Sequence, residues 1–336
     1  MKRLVIVTDA WHPQTNGVVT TLTSVIEHLP ALGYEARVIH PGLFATVPLP
    51  SYPEIRVARD PWRLARMIDA AAPDAVHLAT EGPLGLAARR HLLRRGLPFT
   101  TSLHTKFPEY VHERVALPLA VGYRFLRWFH QPALRVLCTT ESHRQELTRW
   151  GMGNLVVWGR GVDTGRFRPA PLEPRQRPRL LYVGRVAVEK NVEAFLELDV
   201  AAEKRVVGDG PARAELSRRY PEVRWLGYRH GDALVAEYAQ ADAFVFPSKT
   251  DTFGLVMLEA MACGTPVAGY PVTGPRDVVA DGVNGCLDTD LGAAVRRALT
   301  LDRRRCRDHA LTLGWPRVAE RLVAALHPQA AEGGTD

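Results

Sequence analysis

The chain lays out one plan twice. Residues 3–7 (RLVIV) form a short apolar run that opens into the loop 8-TDAWHPQTNGVV-19 and then a helical pattern through Leu29. Residues 179–184 (RLLYVG) do the same, with the loop 185-RVAVEKN-191 and a helix behind it. More short apolar runs follow in each half. They are 36-ARVIH-40, 75-AVHLA-79, 98-PFTTSLH-104 and 135-RVLCT-139, then 205-RVVGD-209, 223-VRWLG-227, 243-AFVFPS-248 and 266-PVAGY-270. Continuous apolar runs of this length, alternating with helical stretches, mark parallel strands covered on both faces. Two such sets predict an α/β chain with two doubly wound, Rossmann-like domains facing a central cleft. A length of 336 residues agrees with two domains.

The expected boundaries are residues 1–168, a stiff proline-rich linker at 169–178 (PAPLEPRQRP), and a second domain at 179–310. The segment 311–327 carries the amphipathic pattern 315-WPRVAERLVAAL-326, with Pro316 near the first helical position, and is able to cross back to the first domain. The tail 328–336 is expected to fray.

The start, MKRLVIVTDA, has a basic pair and an apolar run, but only LVIV precedes Thr8 and Asp9. That is too short for a signal-peptide core and reads as a buried first strand. No run reaches the roughly 18 apolar residues a membrane span needs. Cys138, Cys263, Cys286 and Cys306 match no metal spacing and no CxxC motif, so they read as free thiols of a reducing cytoplasm. The net charge of +7 is unevenly spread. Residues 1–170 hold 21 basic and 13 acidic side chains (+8), and the remainder 22 and 23 (−1). A basic first half suits nucleic acid, an anionic membrane, an anionic substrate, or simply a solvated face. It contains no recognised nucleic-acid module.

Ligands of open parallel sheets sit beyond the carboxyl ends of the strands, where these loops lie. In 184-GRVAVEKN-191 a glycine ends the strand, and Arg185 and Lys190 follow. A guanidinium fork and a point charge at a helix start suit a diphosphate, or a surface ion pair. Asn16-Gly17 is a turn signal, and neither a dinucleotide fingerprint nor a P-loop is present. His104 ends an apolar run before Thr105 and Lys106, and Glu81 ends another, where it would cap the next helix. In 247-PSKTDTFGLVMLEAMACG-264, Asp251 precedes a helix as a cap would. Glu259 lies in the second turn of that otherwise apolar helix. An unpaired carboxylate there is costly; a bound hydroxyl or a neighbouring Arg or Lys would satisfy it.

These segments, together with 208-GDGP-211, 265-TPVAGYPVTGP-275, 78-LATEGPLGLAARR-90 and 160-RGVDTGRFRP-169, strongly resemble the retaining GT-B glycosyltransferases of the family 4-like group. The first half resembles the branch of sulfoquinovosyl-diacylglycerol synthases and GDP-mannose-dependent α-mannosyltransferases. The resemblance implies an acceptor-side first domain and a nucleotide-sugar-binding second domain, with a UDP- or GDP-linked hexose as donor. It implies that Arg185 and Lys190 neutralise the donor diphosphate. Asp251 and His104 then contact the donor sugar, Glu259 holds the ribose, and Gly17 lies near the phosphates. Phe253, Gly254 and Leu255 complete the nucleotide-sugar site. Asp251 stands where the wider family has glutamate, one methylene longer. No metal or other cofactor is implied, because the cationic side chains supply the charge. In 110–132, Tyr123, Phe125, Trp128 and Phe129 interleave with Arg124 and Arg127. That suits an anionic membrane surface and a lipid acceptor, or a core face with solvated arginines. A cytoplasmic enzyme, peripheral at the inner face of the cytoplasmic membrane, is the expected setting, with no nucleic-acid partner.

Overall fold

The computed structural model describes residues 1–14, 16–49, 52–115 and 117–326. The chain divides into two compact units, Met1–Gly159 with the C-terminal segment from Trp315, and Arg160–Gly314.

In the first unit the strands are β1 (Lys2–Val7), β2 (Tyr34–Ile39), β3 (Thr46–Leu49), β4 (Tyr52–Ala58), β5 (Ala75–Leu78), β6 (Thr100–Ser102), β7 (Val136–Cys138) and β8 (Leu155–Val157). Six of them form one parallel sheet in the order β2-β1-β5-β6-β7-β8. β3 and β4 pair separately as an antiparallel ribbon. Val5, Val7, Val76, Leu78 and Val136 pack with Leu84, Leu92, Leu126 and Phe129 from the covering helices. The second unit holds β9 (Arg179–Val183), β10 (Glu203–Val207), β11 (Arg224–Gly227), β12 (Ala243–Phe246), β13 (Val267–Gly269) and β14 (Gly285–Leu287). They too form one parallel sheet, in the order β11-β10-β9-β12-β13-β14. One cluster on each face covers it: Leu181, Phe244 and Met261 on one side, Leu180, Phe195 and Val245 on the other. Both sheets are doubly wound. The strand order of each reverses once, between β1 and β5 and between β9 and β12, and such a reversal opens a crevice at the strands' carboxyl ends.

The division of the chain differs from the expected boundary. Residues 160–168 belong to the second unit because Val162 and Phe167 are buried in its core. Arg307 also holds the carbonyls of Thr164 and Phe167 at 2.9 and 2.6 Å. Nor does 169–178 act as a linker: Gln240 takes Glu173 N–H at 3.0 Å and gives its amide to Pro171 O at 2.7 Å, strapping the segment to the second unit. The helix Trp315–Ala325 belongs to the first unit, where Trp315, Val318, Ala319 and Leu322 are buried and the helix packs on Gly17–His28. The tail expected to fray, 328–336, lies wholly outside the described residues, as does residue 327. Among the described residues no helix is long and apolar enough to cross a membrane, and all four cysteines are buried and free.

Candidate active site

In the second unit, the reversal between β9 and β12 gathers the loops after these strands. Gly184 ends β9 at φ +157°, and the Tyr182 hydroxyl donates to Arg185 O at 2.7 Å, turning the chain. Gly208, at φ +132°, lets the loop after β10 press against this turn; a Cβ there would stand 1.9 Å from Gly184 O. The short turn Val188–Lys190 then aims Lys190 across the reversal, where its ammonium meets Asp251 Oδ1 at 2.5 Å. Both side chains are about four-fifths buried, with relative exposures of 20% and 19%. Asn191 Nδ2 donates to Pro247 O at 3.1 Å and Thr250 Oγ1 to Glu189 O at 3.2 Å, so the two loops are bound by backbone as well as by charge. Gly254, at φ +83°, begins the helix Leu255–Ala262 with no side-chain cap. Asp251 is therefore not the helix cap its position suggested; its carboxylate is committed to Lys190. Phe253 packs on the core beside Val256, and Leu255 opens the helix.

Glu259 projects from the second turn of that helix, half-buried. It accepts a 2.7 Å hydrogen bond from the Tyr238 hydroxyl. Burial pushes its carboxyl pKa up, opposed by that hydrogen bond and by the Arg166 charge. Burial first, and then Glu259 itself, hold the Tyr238 hydroxyl protonated. A protein hydroxyl thus meets this carboxylate, and the Arg166 charge acts on it as well. Neither Tyr238 nor Arg166 was singled out in the sequence, because each is distant along the chain and typical of its local element.

In the first unit, the crevice between β1 and β5 is filled by the protein itself. Asp9 accepts from Leu84 N at 2.9 Å, Gly85 N at 3.3 Å and Thr80 Oγ1 at 2.8 Å, and so caps the helix Pro83–Arg95. Burial pushes the Asp9 pKa up, while those donors pull it down. Gly82 makes room, since a Cβ there would sit 2.5 Å from Asp9 Cγ. Glu81 is not the cap; its carboxylate meets His130 Nε2 at 3.1 Å. Asn16 and Gly17 do not form a free turn. The Asn16 side chain accepts from Val18 N and Val19 N, and exposed Gly17 is the first residue of the helix Gly17–His28. Half-buried His104 follows β6 with Nε2 2.8 Å from Ser102 Oγ and its ring edge-on to Trp158 at 5.6 Å. Lys106 is buried and paired with Glu146 at 2.7 Å. In the helix Leu119–His130, Tyr123 and Phe129 are core residues, Phe125 is half-buried, and Trp128 is 50% exposed with the Arg89 guanidinium 4.0 Å from its ring centre. Arg124 and Arg127 are exposed.

Residues 15–166 match the profile described as Glycosyltransferase Family 4, and residues 177–301 match Glycosyl transferases group 1. The chain is 33% identical to a GDP-mannose-dependent alpha-mannosyltransferase of Mycolicibacterium smegmatis, over 96% of each chain. It is 30% identical to a protein of the same name from Mycobacterium tuberculosis, over 98% of this chain and 97% of the relative. The chain belongs to glycosyltransferase family 4. The fold of this family-4 glycosyltransferase also matches that of sucrose-phosphate synthase from Thermosynechococcus elongatus. The TM-score is 0.76 at 20% identity, covering 96% and 98% of the two chains. That is the GT-B architecture expected from the sequence.

Proposed function

We propose that this glycosyltransferase moves mannose from GDP-mannose to a hydroxyl of a lipid or lipid-linked acceptor, with the anomeric configuration retained. One contrast between the two crevices supports the donor side of this reading. In the first unit the helix start at the strand reversal is already occupied by Asp9. In the second, the start of Leu255–Ala262 has no side-chain cap, and Lys190 and Arg185 stand on the loop beside it. A helix N-terminus flanked by two cations favours a diphosphate. Departure of the nucleoside diphosphate builds charge on its phosphates, and Arg185 and Lys190 stabilise that charge without a metal ion. Glu259 takes the ribose, while Asp251 and His104 take the sugar. The Tyr238 hydrogen bond orients one oxygen of Glu259 and leaves the carboxylate able to accept a second donor. The names of the two full-length relatives favour guanosine and mannose over a uridine donor.

A lipid acceptor fits the half-exposed Trp128, which has the Arg89 guanidinium at its ring and exposed Arg124 and Arg127 on its own helix, features suited to an anionic bilayer surface at the cytoplasmic face. The deciding experiment incubates the protein with GDP-mannose, and separately UDP-glucose, in the presence of anionic-lipid vesicles and alkyl glycosides. GDP release and the proton couplings of the product's anomeric carbon are followed. An α-mannoside from GDP-mannose is expected. An inverted product would overturn retention, and an epimerised nucleotide sugar formed without acceptor would overturn transfer.

A further inference from the structure

The middle strand of a parallel sheet is normally apolar, yet β6 is Thr100-Thr101-Ser102, each fully buried. Each hydroxyl is matched to a histidine. Thr100 and Ser102 share one face of the strand, and His77 on neighbouring β5 stands in register with Thr100. His77 Nδ1 lies 2.9 Å from Thr100 Oγ1, and its Nε2 lies 3.1 Å from Ser102 Oγ. Ser102 Oγ in turn lies 2.8 Å from Nε2 of His104. On the opposite face, His130 bridges Thr101 at 2.8 Å and Glu81 at 3.1 Å. A buried ring and hydroxyls of this kind add little net stability over apolar groups of the same shape. What a fully bonded polar chain does supply is fixed orientation.

His77 is shut off from water, and burial together with the neighbouring His130 lowers its pKa to about 3. It is therefore neutral in any working buffer, with one N–H and one acceptor nitrogen. The chain Thr100–His77–Ser102–His104 runs along one face to the carboxyl end of β6, where His104 emerges. We propose that Ser102 and His77 are positioning residues that fix the ring orientation and tautomer of His104. Nε2 is held by Ser102 and Trp158 bears edge-on against the ring, so these two contacts set which edge the half-buried ring presents. The contact of that edge with a donor sugar rests on the function proposed above. The locking of the ring does not.

The first test is therefore made without substrate. With ¹⁵N-labelled histidine and the His104→Ala variant for assignment, the ring couplings of His104 are expected to show a single tautomer, which Ser102→Ala turns into an average of two. A ring that already averages in the unsubstituted protein, or one indifferent to Ser102→Ala, overturns the proposal. His77→Gln provides a second perturbation if Ser102→Ala does not fold. The second test is kinetic. Ser102→Ala lowers kcat about tenfold with little change in donor KM, and costs nothing further in a His104→Ala background. Losses that simply add would overturn action through His104. A locked ring in a protein that transfers no sugar would overturn the functional reading and leave the locking intact. A mobile ring in an active transferase would do the reverse.

Discussion

Lys190 and Asp251 neutralise one another at 2.5 Å, so a diphosphate that engages Lys190 exchanges one anionic partner for another instead of meeting a bare cation. This keeps a largely buried ammonium from standing uncompensated, a costly state. Lys190→Ala is expected to abolish the rise in melting temperature that GDP produces, and to lower kcat/KM by about 10²- to 10³-fold. An unaltered thermal shift would contradict the diphosphate role. Glu259 makes a different trade. Its carboxyl pKa is raised by burial, so the folded state binds this proton more readily than the unfolded chain does. Stability is then lost as pH climbs from the ordinary carboxyl value of 4.5 through the raised folded value. Glu259→Gln keeps an oxygen for the Tyr238 hydroxyl and removes the charge. The variant should melt higher than the parent at neutral pH, with the advantage vanishing toward pH 4, while donor KM rises. Melting curves across pH check the first expectation, and a variant that melts lower at neutral pH would refute it.

The loops after β9 and β10 converge because Gly208 and Gly210 allow backbone to touch backbone. Gly208 combines φ +132° with a Cβ position 1.9 Å from Gly184 O. Gly208→Ala is expected to cost about 3 kcal/mol, lowering the melting temperature by roughly 6–12 °C and weakening GDP binding through displacement of Arg185. A melting temperature within a degree of the parent would show that the loop relaxes freely. The sequence made these elements legible where the apolar run was four residues or longer, as in RLVIV and AFVFPS. It did not reveal β14, whose Gly285 and Cys286 form no clear apolar run, nor the β3–β4 ribbon, whose Pro48 and Pro53 argue against strands, and β8 was missed although 155-LVVW-158 is apolar. Lys190 was visible as a cation in the loop after an apolar run, Glu259 as a carboxylate inside an otherwise apolar helix, and His104 as a polar residue ending an apolar run. Their partners Asp251, Tyr238 and Ser102 could not be assigned to them, since pairing across 61 or 21 residues, or along a strand of hydroxyls, is a property of the packed chain. Asp9 as a helix cap was hidden for the same reason: it caps a helix that begins more than 70 residues later.

The molecule is two sheets of one design joined by a chain that passes from one unit to the other twice, at Gly159–Arg160 and at Gly314–Trp315. In the first unit the helix Leu119–His130 carries exposed Arg124 and Arg127 together with half-exposed Trp128. Vesicles rich in anionic lipid are expected to sediment the protein at low salt, with Trp128→Ala reducing the bound fraction severalfold and salt above the physiological range releasing it. Equal recovery of the variant and the parent in the pellet would remove that helix from any membrane role. The return of Trp315–Ala325 to the first unit has a kinetic consequence. Trp315 and Leu322 lie buried in a helix that packs on Gly17–His28, so the closing helix covers part of the opening one. During synthesis the whole stretch Arg160–Gly314 leaves the ribosome, with every strand of its sheet, before that cover exists. The half translated first is the half completed last, and until the final turns emerge it exposes a greasy stripe that a chaperone would find.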